Sequence, residues 1–125
     1  MKIFDCFQFS DENMLLDLRL NILDEYVDKF VIVENQFMHS GLKKKLSFDI
    51  NNFSKFKDKI IYILVENLPP NLHDISKIQN EDEKGNRTID NTLMVEHAQR
   101  NSILKGIDSA EENDLIIVSD VDEIP

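Results

Sequence analysis

Two rhythms of apolar and polar positions alternate along this chain. Residues 3–9, Ile-Phe-Asp-Cys-Phe-Gln-Phe, place Ile3, Asp5, Phe7 and Phe9 on one face of an extended segment and Phe4, Cys6 and Gln8 on the other. Both faces are largely apolar, as in a strand covered on both sides. Ser10 or Asp11 then has the character of a helix N-cap. Beyond it Leu16, Leu20, Leu23 and Val27 recur at spacings of four, three and four, which makes one core-facing stripe of a helix. The run Lys-Phe-Val-Ile-Val-Glu-Asn at 29–35 predicts a second strand with Glu34 at its end. A short amphipathic piece around Phe53 and Phe56 follows. A third strand at 60–67 ends at Glu66 and is stopped by Pro69 and Pro70. Residues 71 to about 90 are polar, include Asn-Glu-Asp-Glu-Lys-Gly-Asn-Arg, and are expected to form a loop. A second long helix is predicted over Thr92–Lys105, with Leu93, Leu104 and Ile107 on its core face and Gly106 as its C-cap. Residues 114–120, Asp-Leu-Ile-Ile-Val-Ser-Asp, form the fourth predicted strand.

This alternation of strands and helices predicts an α/β fold, a mostly parallel sheet with helices on both faces. Such sheets bind ligands at the carboxyl ends of their strands, near the reversal of strand order. Glu34, Glu66 and Asp120 all fall at predicted strand ends.

A length of 125 residues fits a single domain over 1–125, or part of a larger one, and 42% apolar content suffices for a core. With 14 basic and 24 acidic residues the net charge is −10, which argues against nonspecific binding to nucleic acid or anionic membranes. The single cysteine, Cys6, excludes an intrachain disulfide and a cysteine-based zinc site, and its apolar setting makes it a core residue. The longest apolar runs are strand-sized, and the N-terminus has no signal-peptide pattern, so a cytoplasmic protein without a membrane span is expected.

The fourth strand runs into Ser-Asp-Val-Asp-Glu-Ile-Pro, three carboxylates within four positions. Ionised carboxylates so close raise one another's pKa, and a divalent cation is the usual remedy. Hard oxygen ligands at a strand end suit Mg²⁺ or Mn²⁺, which keep positions open for substrate phosphates. Asp120 and Asp122 need a bend after the strand to address one ligand, and Pro125 suits such a turn. Three readings are compatible with the motif alone: a nucleotide-sugar site of the Asp-x-Asp type, a haloacid-dehalogenase-like phosphatase, or a solvated acidic turn. His39, His73 and His97 are scattered and show no ligand spacing.

More than the Asp-x-Asp is present. The stretches IFDCFQFSDENMLLDLRLNILDEYVDKFVIVEN, SGLKKKLSF, FKDKIIYILVENLP, QRNSILKGI and DLIIVSDVDEIP, in that order, resemble glycosyltransferase family 17, the β-1,4-mannosyl-glycoprotein β-1,4-N-acetylglucosaminyltransferase family. The resemblance spans nearly the whole chain. Gln8 departs from it where a proline is expected. The Gly41-to-Leu46 segment keeps only Gly41, Lys44 and Leu46 of its pattern, and aromatic residues are lacking before Gln99-Arg100-Asn101.

The resemblance implies a Rossmann-like, GT-A-type nucleotide-sugar-binding fold, UDP-N-acetylglucosamine as donor, a mannose-containing or related glycan as acceptor, inversion at the anomeric carbon, and Mn²⁺ or Mg²⁺. Asp122 is then expected to ligate the metal, Asp120 to contact both the metal and the donor, and Glu123 to bond the turn backbone. Arg100 and Asn101 are candidates for the donor. Arg100, placed beside the apolar face, needs a partner in the diphosphate, the acidic motif or a structural bridge. Glu34 suits either uridine or loop capping, and Lys44 suits a phosphate. Asp5, a carboxylate inside an apolar strand, needs a hydrogen-bond partner. The acceptor site and the general base are expected in sequence beyond Pro125, so no catalytic residue is assigned. A sheet ending at a newly formed edge strand favours further sequence, an oligomer or a partner. A truncated noncatalytic remnant that acts by association is the alternative outside enzymes.

Overall fold

The computed structural model describes residues 1–38, 40, 42–70 and 72–125, so His39 and Gly41, both singled out in the sequence, lie outside the described residues. Four strands, β1 (Ile3–Phe9), β2 (Lys29–Asn35), β3 (Ile60–Val65) and β4 (Leu115–Val118), form one sheet in the order β3-β2-β1-β4. Every pairing is parallel, as the alternating elements predict. The chain steps outward from β1 to β2 to β3 on one side. It then returns to lay β4 on the other side of β1, so the strand order reverses between β1 and β4. β4 pairs with β1 only from Ile3↔Leu115 to Cys6↔Val118, and β1 runs on past it to Phe9. That overhang opens a space above the end of β4.

Side-chain parity sorts the core into two layers. On one face Phe7 and Phe9 of β1 and Phe30 and Ile32 of β2 pack against Leu16, Leu20, Leu23 and Val27. The first three of these lie in α1 (Asn13–Leu23) and Val27 just beyond it, so the predicted stripe is buried. A 3₁₀ segment, Ile50–Phe56, adds Phe53 and Phe56 to this layer. On the other face Phe4, Cys6, Val31 and Val33 pack against Ile103 of a second 3₁₀ segment, Ser102–Ile107. Cys6 is a core residue with no exposure, and burial, helped by the charge of Asp5, pushes its thiol up to about 12.

Four local expectations are corrected. Neither Ser10 nor Asp11 caps α1. The helix starts after Glu12, whose carboxylate turns back to accept from the Ser10 N–H at 3.1 Å. The polar stretch expected as a loop up to residue 90 is helical from Glu81, the start of α2 (Glu81–Asn101). Asn80 accepts from the Glu83 N–H at 2.9 Å, and Glu81, Asp82 and Glu83 set three acids against the positive end of the helix dipole. α2 is solvated almost all round and buries only Val95 and Gln99; the Leu93 and Leu104 expected in the core are 44% and 63% exposed. Gly106 is no left-handed cap either. It lies within the second 3₁₀ segment, where a Cβ would collide with Cγ1 of Val31. No helix among the described residues is long and apolar enough to cross a membrane.

Candidate functional site

β4 delivers Ser119 to Glu123 to the point where the strand order reverses. Val121 points inward, 6% exposed within the α1-side core, while Asp120 and Asp122 on either side of it are exposed. The turn is closed twice. The Glu123 N–H donates to the Asp120 carbonyl at 2.9 Å, and the Asp120 N–H donates to Glu123 Oε1 at 3.0 Å. Glu123 thus bonds the turn backbone, as expected.

Beneath the turn lies Arg19, fully buried on the core side of α1. Its Nε and Nη2 donate to both oxygens of Asp5 at 2.8 and 2.6 Å, a forked pairing suited to guanidinium and carboxylate. Nη2 also donates to Ser119 Oγ at 2.6 Å. Nη1 faces three backbone carbonyls, those of Asp120 (2.6 Å), Val121 (3.3 Å) and Glu123 (3.0 Å). The ring of Phe7 lies 4.5 Å from the guanidinium carbon. Asp5 therefore has the partner its burial demands. Arg19 was missed in the sequence, although its position three after Leu16 and one before Leu20 puts it at the apolar stripe.

Above the turn opens a cleft of about 640 Å³. It is lined by Gln8, Phe9 and Ser10 at the end of β1, by Asp120 and Asp122 of the turn, by Lys44, and by Glu96 and Arg100 of α2. The carboxyl of Asp120 is raised above the ordinary aspartate value, first by partial desolvation and then by the charge of Glu123, with Arg100 acting in the opposite direction.

Four of the residues singled out in the sequence, Lys44, Arg100, Asp120 and Asp122, come together around this cleft. Arg100 does so from solvent rather than from beside the core: its side chain is 51% exposed and pairs with Glu96 at 3.4 Å. The expected burial fails because the buried face of α2 carries Val95 and Gln99, not Leu93 and Leu104. Asn101, exposed at the last residue of α2, is not among the cleft-lining residues.

Glu34 has no exposure, and its oxygens are taken up by the chain. Lys44 Nζ at 2.8 Å and the Ser47 N–H at 2.7 Å donate to Oε2; Tyr62 Oη at 2.7 Å and the Phe48 N–H at 3.2 Å donate to Oε1. Burial alone pushes this carboxyl up, but the four hydrogen bonds outweigh it and hold it below the ordinary glutamate value. This is the loop-capping arrangement rather than a carboxylate open to a base. Lys44 is correspondingly committed to Glu34 while still lining the cleft.

Among the described residues no three or more His, Cys, Asp or Glu side chains are gathered as a ready-made metal cage. Two outward carboxylates on one turn, beside a polar cleft, nevertheless match a hard divalent cation that keeps most of its positions for water and substrate oxygens. The donor set thus fits Mn²⁺ or Mg²⁺ held jointly with a ligand.

An all-parallel α/β sheet, flanked by helices and carrying its cleft and acidic turn at the reversal of strand order, defines a Rossmann-like domain. The sequence pattern of glycosyltransferase family 17 matches residues 1–125, and the chain belongs to that family of glycosyltransferases. No curated protein and no solved structure matches it. Family membership sets aside the phosphatase reading of the acidic motif.

Proposed function

We propose that the cleft binds UDP-N-acetylglucosamine together with Mn²⁺ or Mg²⁺, for inverting transfer of N-acetylglucosamine to a hydroxyl of a mannose-containing or related glycan. One observation carries this reading: Asp120 and Asp122 face the cleft where the strand order reverses, on a turn whose backbone is tied down from beneath. In the transfer the acceptor oxygen forms a bond to the anomeric carbon from the face opposite the diphosphate. The bond to the β-phosphate oxygen breaks, UDP leaves with the electron pair, and the acceptor proton passes to a general base. Asp122 and Asp120 would hold the divalent cation, which when bound would supply charge neutralisation for the leaving diphosphate. Arg100, half-exposed and lining the cleft, would add positive charge beside the diphosphate, and Lys44, paired with Glu34, would offer it a hydrogen-bond donor. Asn101 stays outside this arrangement.

A thermal melt tests it. A ligand that binds only the folded chain must raise the midpoint, by an amount set by about 2.7 kcal/mol at a hundredfold excess over Kd. The expected result is a rise that needs Mn²⁺ and UDP-N-acetylglucosamine together and disappears in Asp122→Asn. A cooperative melt unmoved by both ligands would overturn the proposal.

A further inference from the structure

The acidic turn lies directly over a buried cation, yet none of its three carboxylates pairs with that cation. Arg19 takes its charge partner from Asp5 on β1 and offers the turn only neutral contacts, to three backbone carbonyls and the Ser119 hydroxyl. Two consequences follow from that division. With the carbonyls of residues 120, 121 and 123 drawn inward, and Val121 buried in the core, the side chains of Asp120 and Asp122 are left facing out. With Asp5 neutralising Arg19, the turn's negative charge stays available to the cleft instead of being spent on the arginine.

We propose that Arg19, with Asp5 behind it, is the positioning residue of this site: it fixes the turn in the one backbone arrangement that presents Asp120 and Asp122 together, and so sets the affinity for a divalent cation held with a diphosphate. The proposal rests on the donor-site reading above. Guanidinium geometry is required, because a planar fork serves Asp5 and the carbonyls at once, whereas an ammonium has three tetrahedral donors and cannot span both.

Arg19→Lys keeps the charge and removes the fork. Two readouts are measured beside its thermal melt: amide hydrogen exchange at Asp120 and Glu123 without metal, and Mn²⁺ affinity in the presence of UDP. A hydrogen bond to a charged group is strong enough that losing it should speed exchange at these two amides by about tenfold and weaken Mn²⁺ binding by at least as much. The β2 amides of Val31 and Val33 should change far less. If the two turn amides and the Mn²⁺ affinity stay within about twofold of the wild type, well short of one such bond, the proposal is overturned. Should Arg19→Lys not melt cooperatively, Ser119→Ala decides, because it leaves the Asp5 pair in place and deletes the hydroxyl through which Arg19 reaches the turn, one that accepts from Arg19 and donates to the Glu123 carbonyl at 3.2 Å. It is expected to speed exchange at Asp120 and Glu123 by about threefold at an unchanged midpoint, and unchanged exchange there overturns the proposal. A wild-type chain with no affinity for Mn²⁺ and UDP would sink the donor-site reading, and the positioning claim with respect to the turn would still be decided by the metal-free exchange.

Discussion

Glu34 and Lys44 meet at 2.8 Å beside the cleft, and the carboxylate of the pair is wholly shielded from solvent while the lysine is not. Because Glu34 is held below the ordinary glutamate value, the unfolded chain takes up its proton first as the pH falls. The stability it contributes is therefore complete above the unfolded value, about 4.3, and is lost as the pH drops through that value toward the lower folded one. Glu34→Gln should be less stable than the wild type at pH 7, and the gap should narrow between about pH 5 and pH 3. Urea midpoints of both proteins across that range test this. A gap independent of pH would mean that the loop is clamped by something other than the ionised carboxylate.

Asp120 has the opposite sign. Its carboxyl is raised by partial desolvation and by Glu123, so ionising it costs the folded chain more than the unfolded one. That penalty is absent below the ordinary aspartate value of about 3.9 and grows as the pH rises through it to the raised folded value. Without metal, Asp120→Asn should melt slightly above the wild type at pH 7 and show no such advantage at pH 3. If Asp120 holds the cation as proposed, the order should reverse with Mn²⁺ and UDP present, because the charge that is unfavourable in the metal-free turn would then be paired with the cation. Equal melting of the two metal-free proteins at pH 7 would contradict this account.

One substitution should act with opposite signs at two glycines. Gly85 lies inside α2 with nothing within 4 Å of the position a Cβ would take. Gly85→Ala should stabilise the chain by about 0.5–1 kcal/mol through helix propensity. Gly106 instead lets the second 3₁₀ segment approach β2, and its Cβ would meet the Val31 side chain. Gly106→Ala should destabilise by about 1–3 kcal/mol as an overpacked core. Denaturant melts of both variants check the pair. A neutral Gly85→Ala would count against a helix at that position.

That helix is the part of the fold least visible in the sequence, and the reason is physical. Residues 81–90 carry one apolar side chain, Ile89, which is itself exposed, so they have no periodicity to read. Their helicity rests on the Asn80 cap and the acidic first turn, signals that also occur in loops. Where burial dictates the pattern, reading was direct. The parity of Phe4 and Cys6 against Phe7 and Phe9, and the Leu16–Val27 stripe, gave the two layers on either side of the sheet. The acidic turn was legible as a motif because its residues are adjacent. Its geometry was not, since Arg19 reaches Asp120 across 101 positions of sequence. Asp5 showed half of that relationship, as a carboxylate in an apolar strand. The other half was a charged residue set into the leucine stripe, and the two together identify the pair. Arg100 misled because α2 was phased on Leu93 and Leu104, whereas contact with the sheet selects Val95 and Gln99.

The Asp5–Arg19 pair also makes a prediction about stability. Both side chains are fully buried, so each charge depends on the other to offset its loss of water. Asp5→Ala leaves a guanidinium that cannot shed its charge, and should cost about 3–5 kcal/mol. Arg19→Met strands the buried carboxylate and removes the guanidinium's bonds to the carbonyls of Asp120, Val121 and Glu123, and should cost a similar amount. The double variant should cost clearly less than the two single losses together, because neither charge is then stranded, with a coupling of about 1–3 kcal/mol in a double-mutant cycle. It should not return to wild-type stability, since no apolar side chain can serve the carbonyls of Asp120, Val121 and Glu123. Additive losses would show that the two residues act independently, which their forked pairing at 2.6 and 2.8 Å does not permit.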